Sequence, residues 1–169
     1  MSSTVLATLQ REFSDLANTA QLTQFLVRML VAVALAAVIG FERERRGRAA
    51  GLRTHMLIAL GVVVVVIAAE QATIPTPDMS RVLQGILAGI GFLGAGAILK
   101  HGDPEHEHVR GLTTAASVWA TAGIAIAAGL GRPGTAILAT IVAVVILAVL
   151  GRIERRVGWK RPPDESRRR

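Results

Sequence analysis

Five apolar stretches, most of them about the length of helix that crosses roughly 30 Å of hydrocarbon, limit what this chain can fold into. They run Leu22–Phe41, Thr54–Ala69, Val82–Leu99, Leu112–Leu130 and Thr135–Leu150, and only Arg28 interrupts the first. A soluble core needs apolar residues at helical or strand intervals, whereas here charge is pushed into the segments between the runs. Val62–Ile67 contains a β-branched stretch with the propensity of a strand. In lipid an open strand would leave its backbone groups unpaired, so it reads as helix. The predicted class is all-α: a polytopic membrane protein of five transmembrane helices.

Arg and Lys set the orientation. The linker between runs one and two holds Arg43, Arg45, Arg46, Arg48 and Arg53. The linker between three and four holds Lys100 and Arg110, and eight more cations follow run five. The opposite side has Arg11, Arg81 and Arg132. This bias places the N-terminus outside and the C-terminus in the cytoplasm, and it requires the glycine-rich third run to cross fully. With that run as a re-entrant loop, the first basic linker and the tail would fall on opposite sides. Three regions follow. Residues 1–21 form an amphipathic interfacial segment, with Leu6, Leu9, Phe13, Leu16 and Ala20 at helical spacing. Residues 22–151 form the membrane domain, and residues 152–169 form a basic, disordered cytoplasmic tail.

The net charge of +7 would suggest nucleic acid in a soluble protein, but here the cations lie where cytoplasmic loops belong and no aromatic-rich basic surface accompanies them. Nucleic acid is not an expected partner. There is no cysteine, hence no disulfide or thiolate metal site. No serine–histidine pair, phosphate-binding loop or zinc-protease motif is present, so neither enzymatic activity nor a cofactor is expected.

Polar residues gather at three places. Glu42, Arg43, Glu44, Gly47, Gly51, Arg53 and Thr54 flank the ends of runs one and two, and Arg110, Gly111, Thr113 and Thr114 open run four. Two helix N-termini beside arginines there favour an anion: phosphate, a lipid headgroup or a partner's carboxylate. Topology signalling with helix capping is the alternative. Near the other side, Arg28, Glu70, Asp78 and Arg81 form a candidate outer polar cluster, with Glu70 within reach of Arg28 and either acid a partner for Arg81. Within run three, Gly85, Gly89, Gly91, Gly94 and Gly96 permit close helix packing, which predicts a central position for that helix. His55 is expected to be solvated near an interface. The tract His101–His108 could bind a metal weakly, a hydrated acidic loop being the alternative.

Several blocks together resemble the MgtC/SapB family: Gly40-Phe41-Glu42-Arg43-Glu44 with Gly47 and Ala50-Gly51-Leu52-Arg53-Thr54, Asp78-x-x-Arg81, Gly89 to Gly96, and Val109-Arg110-Gly111-Leu112-Thr113-Thr114-Ala115-Ala116-Ser117. The resemblance implies a five-helix protein of the bacterial inner membrane. Members are linked to growth in low magnesium, acid adaptation and survival of pathogens inside cells. Older descriptions make them magnesium transporters, and they are now thought to regulate membrane partners. The resemblance therefore implies a non-enzymatic regulator that binds another membrane protein, itself as a homo-oligomer, or anionic lipid. The alternative is a cation channel or transporter. By motif position it points to Arg28, Glu42, Arg43, Glu44, Gly47, Gly51, Arg53, Thr54, Asp78, Arg81, Gly91, Gly94, Arg110, Gly111, Thr113 and Thr114. The better-known MgtC-type members add a cytosolic C-terminal domain, whereas this chain ends soon after run five. The segment Pro104–His108 is longer than the family's usual turn.

Overall fold

A computed structural model describes residues 2–12, 18–72, 76–99 and 111–152. The elements are α1 (Ser2–Glu12), α2 (Thr19–Arg45), α3 (Leu52–Gln71), α4 (Thr76–Leu99), α5 (Leu112–Gly129) and α6 (Pro133–Val145), the last continued by a π-helical turn, Ile146–Leu150. Five helices are long and apolar enough to cross a membrane. At 1.5 Å per residue they span roughly 27–40 Å. Each apolar run thus becomes one helix, and the β-branched stretch Val62–Ile67 lies inside α3.

Local chemistry sets several boundaries. α2 starts at Thr19 rather than Leu22, because the Asn18 side chain caps it, accepting from the Ala20 and Gln21 amides at 3.1 and 3.3 Å. Ala20 is therefore in the first turn of α2, not on the amphipathic N-terminal segment. That segment contributes α1, where Val5, Leu6 and Leu9 are exposed; Phe13 and Leu16 lie outside the described residues. A turn leads into α6, whose first residue is Pro133, where its missing N–H costs nothing. The turn itself is made by Gly131 at φ +69°.

The chain runs up and down, so alternate helix ends meet at one end of the bundle. α5 is the hub: it packs on α2, α3, α4 and α6. Its buried residues are mostly small, including Ser117, Thr121, Ala122, Ala125, Ala128 and Gly129. Between helices in lipid, attraction comes largely from close van der Waals contact, which small residues allow. At Gly129 a Cβ would sit 2.8 Å from Val66 Cγ1. Gly40 brings α2 against the start of α3, and a Cβ there would lie 2.8 Å from Leu52 Cα.

The expectation that the glycine-rich helix is central is corrected. α4 lies at the edge of the bundle: a Cβ on Gly85, Gly89, Gly91 or Gly96 would meet no atom within 4 Å, and Phe92 is 80% exposed. Only Gly94 packs within the chain, its Cβ position 3.5 Å from Ala115 Cβ. Spacing fixes which residues share a helical face, but not what that face meets. Between α3 and α4 an apolar groove of about 440 Å³ remains, lined by Gly61 and Val65 on one wall and Gly85 and Gly89 on the other.

These contacts separate two kinds of glycine. Gly40→Leu should lower the stability of the detergent-solubilised protein by about 1–3 kcal/mol through overpacking. Gly89→Ala should leave it unchanged or slightly raised. Thermal unfolding followed by circular dichroism measures both.

Candidate functional site

The basic end collects the C-terminus of α2 and the N-termini of α3 and α5. Arg43, the last buried side chain of α2, is 3% exposed. Its Nη2 donates to Thr114 Oγ1 at 3.1 Å. Ser117, one turn further along α5, is 2.8 Å from the Thr114 carbonyl through its hydroxyl. That hydroxyl is also 3.3 Å from His55 Nε2, and His55 Nδ1 is 2.9 Å from the Gly51 carbonyl. A carbonyl only accepts, so Nδ1 carries the proton and Nε2 accepts from Ser117. The single hydroxyl hydrogen then divides between His55 and Thr114. One polar chain thus joins α2, α5 and α3.

His55 is 0% exposed, which corrects the expectation of a solvated histidine. The start of α3 is drawn in by the Gly40 contact, so the imidazole faces Ser117 rather than water. Ser117 is the member of this polar chain that sequence reasoning left unassigned beyond its place in a motif. The signal was available: Thr114, Ser117 and Thr121 recur at spacings of three and four, a polar stripe on an apolar helix that must face inward.

Around this chain the other motif residues take distinct places. Glu44 Oε2 accepts from the Leu52 amide at 2.7 Å and so caps α3, a contact permitted by Gly51, whose Cβ would lie 2.9 Å from that oxygen. Gly47 turns the chain at φ +60°. Glu42 forms an ion pair with Arg46, and Arg46 Nη2 donates to the Ala148 carbonyl at 3.1 Å, tying the π-helical turn to the end of α2. The Glu42–Arg46 pairing is one of charge proximity: neither Glu42 oxygen, nor Arg43 Nε, makes a hydrogen bond of good geometry. Gly111 takes φ +94°, and a Cβ there would lie 2.5 Å from the Ala97 carbonyl. Arg53, Thr54 and Thr113 are exposed at the same end. Arg110 and the tract His101–His108 lie outside the described residues, as do residues 153–169 of the tail.

At the opposite end the four residues read as one cluster divide into two pairs. Arg28 forms an ion pair with Glu70, and its Nη1 donates to the Gly129 carbonyl at 2.8 Å. A cation at that position satisfies an orphan carbonyl at the C-terminus of α5 and suits its negative dipole end. Arg81 pairs with Asp78, one turn away on α4, at 3.2 Å, with side chains 82% and 48% exposed. Among the described residues no ion pair links the two, because α4 stands away from the bundle edge that holds Arg28.

A family model described as the MgtC family matches residues 29–156, three quarters of the chain. The chain belongs to the MgtC family. Protein MgtC of Salmonella typhimurium strain LT2 is 39% identical over 133 residues, covering 79% of this chain and 55% of that protein. Protein SrpB of Synechococcus elongatus is 37% identical over 159 residues, covering 81% of this chain and 87% of SrpB. The Escherichia coli K12 protein named putative magnesium transporter YhiD is 33% identical over 141 residues, covering 79% and 64%. The chain spans little more than half the length of the Salmonella relatives. No solved structure matches. Family membership and the five apolar helices together make this a multi-pass membrane protein. The matched region contains α3 to α6 and most of α2, beginning one residue after Arg28.

The two ends respond differently to mutation. Glu44→Ala should cost about 1 kcal/mol through loss of the α3 cap. Glu70→Ala, which leaves Arg28 without its acid, should cost about 1 kcal/mol, the exposure of Glu70 limiting the effect. Asp78→Ala should change stability by less than roughly 0.5 kcal/mol. Chemical denaturation in mixed micelles ranks the three.

Proposed function

We propose that the protein is a non-enzymatic regulator in the bacterial inner membrane, acting in magnesium homeostasis by binding another membrane protein at its basic end. The observation that carries the reading is convergence: two motif blocks distant in sequence, the one holding Arg43 and the one holding Thr114 and Ser117, meet with His55 of α3 in one polar chain. Its rim, Glu44, Arg53, Thr54 and Thr113, is exposed and presents both charge signs and hydroxyls to a partner. With the positive-inside bias, this end faces the cytoplasm. Magnesium enters through the relatives, one of which carries the name of a putative magnesium transporter.

That same name favours a second reading, passage of a cation such as Mg²⁺. Magnesium retains several waters and is held by one or two carboxylates. In the bundle Glu42 and Glu70 belong to opposite ends, paired with Arg46 and Arg28. Among the described residues no three His, Cys, Asp or Glu side chains converge. An oligomeric pore would have to supply the ligands between protomers.

Affinity purification from gently solubilised membranes should recover a specific partner, and Arg53→Ala should reduce its recovery at least about tenfold, the factor for 1.4 kcal/mol. Magnesium flux into liposomes above that of empty vesicles, abolished by Glu42→Ala or Glu70→Ala, would replace this reading with the second.

A further inference from the structure

α5 opens at the basic end without a side-chain cap. Its N-cap is Gly111, which has no side-chain acceptor to offer. The first amides of a helix lack intrahelical acceptors, and the macrodipole makes that end positive. α3 begins at the same end, where Glu44 supplies a carboxylate to Leu52. At α5 the charged side chain that reaches the first turn among the described residues is instead a cation, Arg43, through Thr114 Oγ1.

Arg43 is itself incomplete. It is 3% exposed, its Nε has no hydrogen-bond partner, and among the described residues it is in no ion pair. The carboxylates on its own helix are engaged, Glu42 with Arg46 and Glu44 with the Leu52 amide. Among the described residues Arg43 is thus a buried guanidinium in no ion pair, next to a helix N-terminus whose N-cap residue offers no acceptor, a setting that favours an anion. Leu112 and Thr113 present the start of this turn to the outside, with Thr114 and Arg43 buried beneath them.

We infer that the first turn of α5, Leu112–Thr114 above Arg43, binds a phosphate group. Helix amides, threonine hydroxyls and a guanidinium form a donor-rich set suited to a tetrahedral oxyanion. The apolar stretch of α2 ends at Phe41, so this turn lies at headgroup level, within reach of phospholipid phosphate and free phosphate alike. The inference rests on reading the basic end as the working surface and names what that surface takes.

The test follows thermal unfolding of the full chain in maltoside micelles with three probes. They are sodium phosphate against sodium chloride at equal ionic strength, phosphatidylglycerol, and a galactolipid that carries no phosphate. Phosphate, phosphatidylglycerol or both should raise the midpoint by about 5–10 °C at a hundredfold excess over Kd, with chloride and galactolipid inert. A response to phosphate identifies free phosphate as a source, and a response to phosphatidylglycerol alone identifies the headgroup. Thr113→Asp places a carboxylate on the turn, as Glu44 does at α3. It should raise the midpoint without any probe and cut the response at least about threefold, while Thr113→Asn should keep it. No phosphate-specific response in either lipid or salt arm, or a full response in Thr113→Asp, would overturn the site. Partner recovery that ignores Arg53→Ala while the phosphate response persists would overturn only the regulatory reading.

Discussion

In lipid a helix bundle gains nothing by hiding apolar side chains from an apolar solvent, so it is held where backbones approach closely and polar groups find one another. Both conditions meet where α2 passes the start of α3. Gly40 lets the Leu52 backbone come in, and this approach carries His55 inward to Ser117. A side chain at Gly40 would push α3 out and open the polar chain from Arg43 to Gly51. Packing and site geometry therefore depend on a single small residue, and the arrangement of α5 against both helices depends on it in turn.

The same economy explains the two ionic ends. Each places an arginine where an unmatched backbone carbonyl would otherwise face hydrocarbon or its boundary. Arg28 serves the Gly129 carbonyl at the C-terminus of α5, and Arg46 serves the Ala148 carbonyl in the π-helical turn. Each guanidinium is balanced by one acid, Glu70 or Glu42. Arg43 breaks the pattern: it is more deeply buried than either, yet it meets a hydroxyl instead of a carboxylate.

What the chain announces in advance follows from the physics of each signal. Five spans are readable because the solvent is hydrocarbon and length alone decides crossing. The Arg28–Glu70 pair is readable because depth along α2 and α3 can be counted from the ends of the runs. The position of α4 is not, since Gly85, Gly89 and Gly96 define a face without defining its neighbour. His55 escapes for a related reason. Its proximity to a linker suggests water, and only the three-dimensional approach at Gly40 buries it. The hub role of α5 lay in plain view as the Thr114, Ser117 and Thr121 stripe, which outranks glycine periodicity because hydroxyls can also bond across helices, as Thr114 does with Arg43, whereas glycine offers close approach alone.

The π-helical turn adds a mechanical consequence. It widens the end of α6 just where Arg46 reaches the Ala148 carbonyl, and Gly151 follows with no side chain to obstruct the guanidinium, into which a Cβ would run. Arg46 is held on its other side by Glu42, the residue immediately before Arg43. The point where the chain leaves α6 is thus one hydrogen bond and one ion pair from the residue that adjoins Arg43. A displacement of the chain just past α6 would arrive first at Arg46, and from there at the helix that positions Arg43 against α5.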